Sequence, residues 1–240
     1  MNELEELAFC PALVGLLLSR RAVGRTGKVF EGLGALSTLN NQIALRRLMR
    51  GLNPARTLEI GLSFGGSGLV FTASHRDLCH TPTRQHVALD PFQSSVWDDC
   101  GLQVVEQAGL AGYLDFRPAF SSLELPKLIG EGARFDLVYV DGSHLVEDVF
   151  VDAYFVTRLL TEGGVVAFDD STNPHVHKVL QFLRTNCRAG LEEIDLAPYR
   201  ADRGKTLRYR VARMLGKVQM TAFRRIGKTD RPWNAPFHSF

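Results

Sequence analysis

The sequence has 240 residues and is 45% hydrophobic, which suits one large α/β domain with additions better than two full domains. Its formal net charge of +2 gives no indication of a nucleic-acid-binding protein. Four scattered cysteines form no C-x-x-C pair, and no signal peptide or membrane-spanning stretch is evident, so we expect a reducing, cytoplasmic location.

In chain order, the hydrophobic pattern first predicts helices. Residues 1–52 are interpreted as an N-terminal helical cap, with a glycine-rich interruption near residues 25–34 and a regular helix over about 37–50. Short apolar strands then alternate with helices. The strands are predicted at 57–61, 85–90, 114–117, 135–141, 165–170, 191–196 and 206–211, and the helices between them begin near 67, 96, 122, 144 and 175. This alternation predicts an α/β fold over residues 53–211, with a mostly parallel seven-stranded sheet and helices on both faces.

The first predicted strand leads directly into a glycine-rich loop. The glycines are Gly61, Gly65, Gly66 and Gly68, a spacing that differs from the G-x-G-x-x-G of dinucleotide sites and lacks the lysine of a triphosphate loop. Glycine lets a backbone bend sharply and approach a ligand closely. Because the carboxylate of Glu59 precedes the loop, a cationic nucleoside without phosphates suits it better than a phosphorylated one.

Acidic residues end four of the predicted strands. They are Glu59, Asp90, Asp141 and the pair Asp169-Asp170. In open α/β sheets the ligand binds outside the carboxyl ends of the strands, so these groups are expected to converge there. Each one alone can equally be an ordinary strand-end or helix-capping residue. Together they indicate a ligand, because clustered negative charge is costly unless a cation or hydroxyl donors compensate it.

These motifs resemble a known family. The segments E-I-G-x-x-x-G-x-S at residues 59–67, FDLVYVDGSH at 135–144 and LLTEGGVVAFDD at 159–170 are similar to class I S-adenosylmethionine-dependent methyltransferases. The closest similarity is to a small O-methyltransferase-like group with a D-G-x-H motif (methyltransferase family 24-like), and it covers roughly residues 37–211. The resemblance implies a Rossmann-like methyltransferase fold.

The resemblance also implies S-adenosylmethionine as the cofactor. The loop after the first strand would hold its methionine and ribose portion, and Asp90 would hold the ribose hydroxyls. The adenine would lie against residues 119–121, where Ala119-Phe120 replace the glycine and acid of many relatives. The implied cofactor contacts are Glu59, Gly61, Gly65, Ser67, Asp90, Ala119, Phe120, Ser121 and Asp141.

A second implication concerns a metal. Metal-dependent members of this family hold Mg²⁺ with an acid after the fourth strand and an acidic pair after the fifth, which here are Asp141, Asp169 and Asp170. A hard divalent cation takes oxygen ligands and makes a bound hydroxyl more acidic. His144, three residues past Asp141, stands where a general base would be, and histidine's ordinary pKa of about 6.5 suits proton removal at neutral pH. The alternative is that Asp169-Asp170 caps a turn and His144 begins a helix.

Two further features stay open. His175 and His177 have H-x-H spacing just beyond the acidic pair, where they are a weaker candidate for the acceptor site. Residues 1–199 carry a net charge of −7, whereas the C-terminal tail, residues 212–240, lies in a strongly basic segment. The tail has an amphipathic pattern that favours a helix docked on its own domain or on a dimer partner. The alternative is contact with an anionic surface or substrate.

We therefore predict an S-adenosylmethionine-dependent methyltransferase that acts on a hydroxyl of a small-molecule or sugar-like acceptor, with Mg²⁺ holding the acceptor and His144 as base. A metal-independent enzyme of the same fold and a catalytically silent Rossmann-like binding module are the alternatives. An NAD-dependent oxidoreductase is disfavoured by the missing dinucleotide loop. No nucleic-acid partner is expected, and a homo-oligomer is left open.

Overall fold

The computed structural model describes residues 3–78, 81–83, 85–201 and 206–240. The chain divides into two compact units. Unit 1 comprises residues 1–120 and 199–202, and unit 2 comprises residues 121–198 and 203–240.

Unit 1 begins with a short 3₁₀ turn at Glu3–Leu7 and carries the first three-stranded part of the main sheet. Two of its strands, β1 and β2, form a separate antiparallel hairpin. Its helices and strands are α1 (Pro11–Ser19), β1 (Arg21–Val23), β2 (Val29–Glu31), α2 (Leu39–Leu52), β3 (Thr57–Ile60), α3 (Gly66–Asp77), β4 (His86–Leu89), α4 (Cys100–Gln107) and β5 (Leu114–Arg117).

Unit 2 contributes the remaining four strands of the main sheet. Its helices and strands are α5 (Ser121–Gly130), β6 (Phe135–Val140), α6 (Val146–Leu159), β7 (Leu160–Phe168), α7 (Pro174–Asn186), β8 (Leu191–Ile194), α8 (Thr206–Met214) and β9 (Thr221–Arg225).

The main sheet has seven strands in the order β5-β4-β3-β6-β7-β9-β8. Strands β3, β4 and β5 pair in parallel, as do β6 and β7, whereas β9 runs antiparallel to both β7 and β8. Every residue of β3 and β4 is buried, as expected for strands covered on both faces. The prediction of an α/β fold with a mostly parallel seven-stranded sheet is confirmed.

Two segments differ from the sequence-based predictions. Residues 206–211 were expected as the last strand, but α8 occupies Thr206–Met214 and the strand is β9 at Thr221–Arg225. The alternating apolar and polar residues of 206–211 suggest a strand, yet they also place Arg210 and Arg213 on one helical side, where both pair with acidic residues near β8. The glycine-rich interruption near residues 25–34 overlaps the β1–β2 hairpin, in which β1 lies before it and β2 within it.

Part of the basic tail packs within unit 2. Its strand β9 pairs Ala222 with Ala167 of β7, and both residues are fully buried. Arg213 Nε donates to Glu193 Oε1 at 2.8 Å. No helix in the described part of the chain is long and apolar enough to cross a bilayer.

Candidate active site

The glycine-rich loop of unit 1 connects β3 to α3 through two glycines with positive φ. Gly61 has φ of +94° and donates its N–H to Leu89 O of β4 at 2.9 Å. Gly65, at the N-cap of α3, has φ of +81°. A Cβ on Gly65 would lie 2.7 Å from Val104 Cγ2 and 2.8 Å from Gly101 O, so only glycine fits there. The loop is therefore held in one conformation by close packing against α4.

Glu59 is a fully buried carboxylate with one oxygen engaged. Its Oε1 lies 2.9 Å from His86 Nε2, and both side chains are 0% exposed. Its Oε2 has no hydrogen-bond partner among the described residues. A Cβ on Gly68, in the first turn of α3, would lie 3.1 Å from Glu59 Oε1, so the glycine admits the carboxylate close to the helix N-terminus. An unsatisfied buried carboxylate oxygen is costly unless a ligand supplies a donor.

A buried polar chain extends from this carboxylate. Thr57 Oγ1 lies 2.9 Å from His86 Nδ1 and 2.9 Å from His75 Nε2. The His86 ring stacks on Phe71, with ring centroids 4.6 Å apart. Sequence reasoning missed this chain, although there was a signal: Thr57, Glu59 and His86 are polar residues on neighbouring all-buried strands, and Thr57 and His86 are direct partners in the register.

Asp90, at the end of β4, connects two loops of unit 1. Its Oδ2 accepts from Ser63 N at 2.8 Å and from Gln93 Nε2 at 2.9 Å, and its Oδ1 accepts from Phe92 N at 2.8 Å. The residue is 4% exposed. Because carboxylate oxygens have about four lone-pair sites, these three bonds leave acceptor capacity for a ligand. Ser67, also predicted as a contact, is 4% exposed in the first turn of α3.

The segment after β5 carries the predicted adenine contacts. The Phe120 side chain is 52% exposed, and its ring meets that of Phe92 edge to face at a centroid distance of 5.6 Å. Ala119 N donates to Arg117 O at 2.9 Å, which turns the chain before α5. An exposed aromatic ring here is available for stacking against a planar ligand.

Ser121 begins α5 in unit 2, where it hydrogen-bonds a buried acid of α6. Burial raises the pKa of Asp152 to about 7; the hydrogen bond from Ser121 opposes the rise, and the charge of Asp148 adds to it. Asp152 is 1% exposed, and its Oδ1 has no partner within the described ranges. Sequence reasoning missed this group, because one acid in an otherwise amphipathic helix looks like part of its solvated face.

Three predicted acceptor-side residues come together in unit 2. Ligand atoms of Asp141, His144 and Asp170 all lie within 4.8 Å of one another. His144 Nε2 lies 2.8 Å from Asp170 Oδ2, and the two side chains are 46% and 33% exposed. Asp170 has φ of +47°, a conformation that aspartate tolerates better than most residues and that turns the chain after β7. The arrangement is an accessible imidazole oriented by a carboxylate, beside a second carboxylate.

Asp169, the remaining predicted ligand, has both oxygens engaged. Its Oδ2 accepts from the Tyr139 hydroxyl, and its Oδ1 accepts from Gln219 Nε2 at 3.2 Å and from the backbone of Asp170 at 2.7 Å. The Tyr139 hydroxyl also lies 3.3 Å from Asp141 Oδ2. Gln219 contacts the Asp170 carboxylate as well. Sequence reasoning did not identify Tyr139 or Gln219, because no motif distinguishes them.

His175 and His177 do not act together. His175 Nδ1 accepts from Val146 N at 3.2 Å, at the start of α6, whereas the His177 ring lies against Gly216. The H-x-H spacing therefore does not place two imidazoles on a common point.

The comparisons with known proteins agree on one kind of domain. Residues 58–171 match a family model described as a methyltransferase domain. The chain is 28% identical over 130 residues to caffeoyl-CoA O-methyltransferase 1 of Eucalyptus globulus, a stretch that is 53% of this chain and 49% of that protein. The caffeoyl-CoA O-methyltransferase of Eucalyptus gunnii is equally similar over the same share of this chain and 48% of its own. The chain thus spans about half the length of the curated relatives it matches.

Solved structures share the fold at lower identity. The O-methyltransferase TomG from Streptomyces achromogenes, solved in complex with SAM, has a TM-score of 0.56 at 20% identity, over 68% of this chain and 75% of that one. The O-methyltransferase from Bacillus cereus, solved in complex with SAH, has a TM-score of 0.54 at 19% identity, over 67% and 75%.

Proposed function

We propose that the protein is a class I methyltransferase that transfers the methyl group of S-adenosylmethionine to a hydroxyl of a small-molecule or sugar-like acceptor, because residues 58–171 match a methyltransferase domain. The observation that carries the hydroxyl assignment is the half-exposed His144 imidazole held 2.8 Å from Asp170 beside Asp141.

The cofactor assignment is supported by the chemistry of unit 1. The buried Glu59 Oε2 needs a donor, and the ammonium group of the methionine portion supplies one. Asp90 retains acceptor capacity for ribose hydroxyls, and Phe120 offers a face for adenine. A dinucleotide fits less well, because its pyrophosphate would meet the Glu59 carboxylate.

On the acceptor side, His144 is proposed as the base. Its Nε2 is within hydrogen-bond distance of Asp170 Oδ2, so a neutral imidazole donates there and leaves Nδ1 to accept the hydroxyl proton. Asp170 acts by fixing the ring and by stabilising the imidazolium that forms. The resulting alkoxide or phenolate attacks the sulfonium methyl in line, and the sulfonium leaves as the neutral thioether of S-adenosylhomocysteine.

A divalent cation is also proposed here. The partly exposed, oxygen-rich cluster of Asp141 and Asp170 fits Mg²⁺, which prefers carboxylate ligands. When bound, such an ion lowers the pKa of an acceptor hydroxyl and neutralises the two carboxylates. Asp169 as a further ligand stays a prediction. The metal-independent alternative is supported by the same observation that supports the base, since the His144–Asp170 pair can remove a proton alone.

Acceptor type and base are tested together by supplying labelled S-adenosylmethionine with matched phenol, aniline and thiophenol acceptors. The proposal expects methylation of the phenol. His144→Ala should slow it by about 10²–10⁴-fold, the usual range for a general base, while S-adenosylhomocysteine affinity stays nearly unchanged. Methylation of the aniline or the thiophenol, but not of the phenol, would contradict the hydroxyl assignment.

The cation is tested without activity, by electron paramagnetic resonance of Mn²⁺ titrated into the protein. Asp170→Asn should weaken Mn²⁺ binding strongly, whereas Asp148→Asn, an exposed acid of α6 outside the cluster, should not. Equal Mn²⁺ affinity in the wild type and in Asp170→Asn, together with methyl transfer that survives EDTA, would favour the metal-independent enzyme.

A further inference from the structure

A cavity lies within unit 2, apart from every residue assigned above to cofactor or acceptor. It has a volume of about 300 Å³ and is bounded by α6, α7, the start of β8 and the segment around Thr229 and Arg231. None of Asp141, His144, Asp169 and Asp170 lines it. Its volume falls at the lower end of the range for small-molecule sites.

The walls of this cavity are largely apolar. The main contributors are Phe150, Ala153, Tyr154, Phe182, Leu183 and Leu191. The rings of Phe150 and Phe182 pack with centroids 4.9 Å apart. Phe150 and Tyr154 are nevertheless 38% and 48% exposed, which is unusual for aromatic residues one turn apart on a helix that packs against two others. They place apolar surface at the entrance.

Two guanidinium groups add positive charge, and the residues lining the cavity include no carboxylate. Arg158 stacks over the Tyr154 ring at 3.6 Å from its centroid and pairs with Asp230, an outside residue whose side chain is 80% exposed. Arg231 NH2 donates to Pro236 O at 2.6 Å, which uses one of the five N–H groups of a guanidinium. Both charges act on the interior: burial raises the pKa of the Cys187 thiol, and Arg231 and Arg158 oppose that rise.

We propose that this cavity is a binding site for a small amphipathic carboxylate, whose apolar body lies between the aromatic walls from α6 and α7 and whose carboxylate is held by Arg158 and Arg231. Arginine suits this role because its planar fork matches a carboxylate with two parallel hydrogen bonds. A neutral apolar ligand would supply no counter-charge to either guanidinium group. The Arg158–Asp230 pair does not block the site, because Asp230 is 80% exposed, so water screens the pair and it can share its cation.

The site is tested with octanoate and its neutral counterpart octan-1-ol, with Cys187 as the reporter. Octanoate is titrated against the full chain without cofactor, and iodoacetamide labelling of the Cys187 peptide is measured by mass spectrometry, which separates it from the other cysteines. We expect octanoate to protect Cys187 and octan-1-ol to protect it much less. Arg231→Gln and Arg158→Gln should each weaken protection by octanoate by about tenfold, as expected for a charge-assisted hydrogen bond.

Arg188→Gln is the matched control, because it removes the same charge from an exposed residue next to Cys187 that does not line the cavity. It should leave octanoate protection unchanged. Ala153→Phe, which fills the cavity, should abolish protection, and calorimetric titration of octanoate should follow the same order if labelling is slow. Equal protection by octanoate and octan-1-ol, no protection by either, or an equal loss in Arg188→Gln and Arg231→Gln would overturn the proposal.

Discussion

Among single residues, Glu59 and His86 determine how a buried charge is tolerated inside unit 1. The carboxylate is fully buried and hydrogen-bonded by His86, and His86 is in turn held by Thr57 and stacked on Phe71. Fixing one oxygen in this way orients the other. The chain of contacts therefore makes His86 a positioning residue for the proposed cofactor contact.

Replacing His86 with Leu should weaken S-adenosylhomocysteine binding by about 10- to 100-fold, because a hydrogen bond to a buried charged group contributes about 1.5–3 kcal/mol. Calorimetry measures this affinity. Methylthioadenosine, which lacks the amino-acid portion, should bind both proteins equally. His75→Gln, two contacts further from Glu59, should cost stability without the selective loss, and an equal loss for both nucleosides in His86→Leu would contradict the positioning role.

The positions of the loop glycines and strand-end acids relative to their strands could be predicted from the sequence, whereas their roles stay predictions. The sequence could not predict which oxygen atoms are engaged. Asp169 and Asp170 are adjacent in sequence, yet Tyr139 binds Asp169 and His144 meets Asp170, while Gln219 contacts both. Gln219 is brought to the end of β7 by strand β9 and the chain before it, which is a long-range contact.

For the elements, the connection between β3 and α3 depends on a steric requirement at Gly65. Gly65→Ala combines a positive φ with contacts below 3 Å to Val104 and to the Gly101 carbonyl. We expect it to destabilise the protein by about 2–4 kcal/mol in urea unfolding, as backbone strain and overpacking add. Gly163→Ala is the control, since Gly163 has φ of +77° but nothing within 4 Å of its Cβ. It should cost about 1 kcal/mol, and a similar loss in both would show that packing against α4 does not matter.

Helix α6 has a titratable carboxyl group, that of Asp152, on its buried face. Because the pKa of Asp152 is raised to about 7 when folded, its contribution to stability is full below its unfolded pKa of about 3.9 and is lost as pH rises through 7. Asp152→Asn should therefore stabilise the protein relative to the wild type near pH 8, by up to about 4 kcal/mol, and give no such gain near pH 4.

Urea unfolding across this pH range measures the gain. Glu147→Gln, an exposed acid of the same helix, should show no comparable trend. A gain for Asp152→Asn that is independent of pH would mean that the carboxyl does not titrate as described.

Element assignment from sequence worked best where periodicity and composition agreed. The run at Phe135–Val140 is apolar and β-rich, and the strand was predicted within one residue. The prediction of a strand at residues 206–211 was wrong, because a short alternating pattern and a short amphipathic helix can have the same sequence. The ion pairs with Glu193 and Asp195 favour the helix here. Strand β9 was not predicted. It lies in a basic segment, and its pairing with β7 and β8 is a long-range contact that a local pattern does not reveal.

For the whole molecule, the family match, the glycine loop without phosphate-binding signals and the acid–imidazole cluster support one account. Residues 58–171 match a methyltransferase domain, and the proposed acceptor chemistry rests on His144 and Asp170. Charge is distributed unevenly along the chain, with an acidic body and a basic C-terminal segment. Arg210, Arg213 and Arg225 of that segment make contacts within unit 2, which favours a tail docked on its own unit over one reserved for an anionic surface.

The most direct test of this account is a calorimetric titration of the wild-type chain and Asp90→Asn with S-adenosylhomocysteine, with NAD as the comparison ligand. The account predicts binding of S-adenosylhomocysteine to the wild type at about micromolar Kd, a loss of about tenfold or more in Asp90→Asn, and no heat from NAD. Binding of NAD in place of S-adenosylhomocysteine, or of neither nucleoside by a folded wild-type protein, would contradict it.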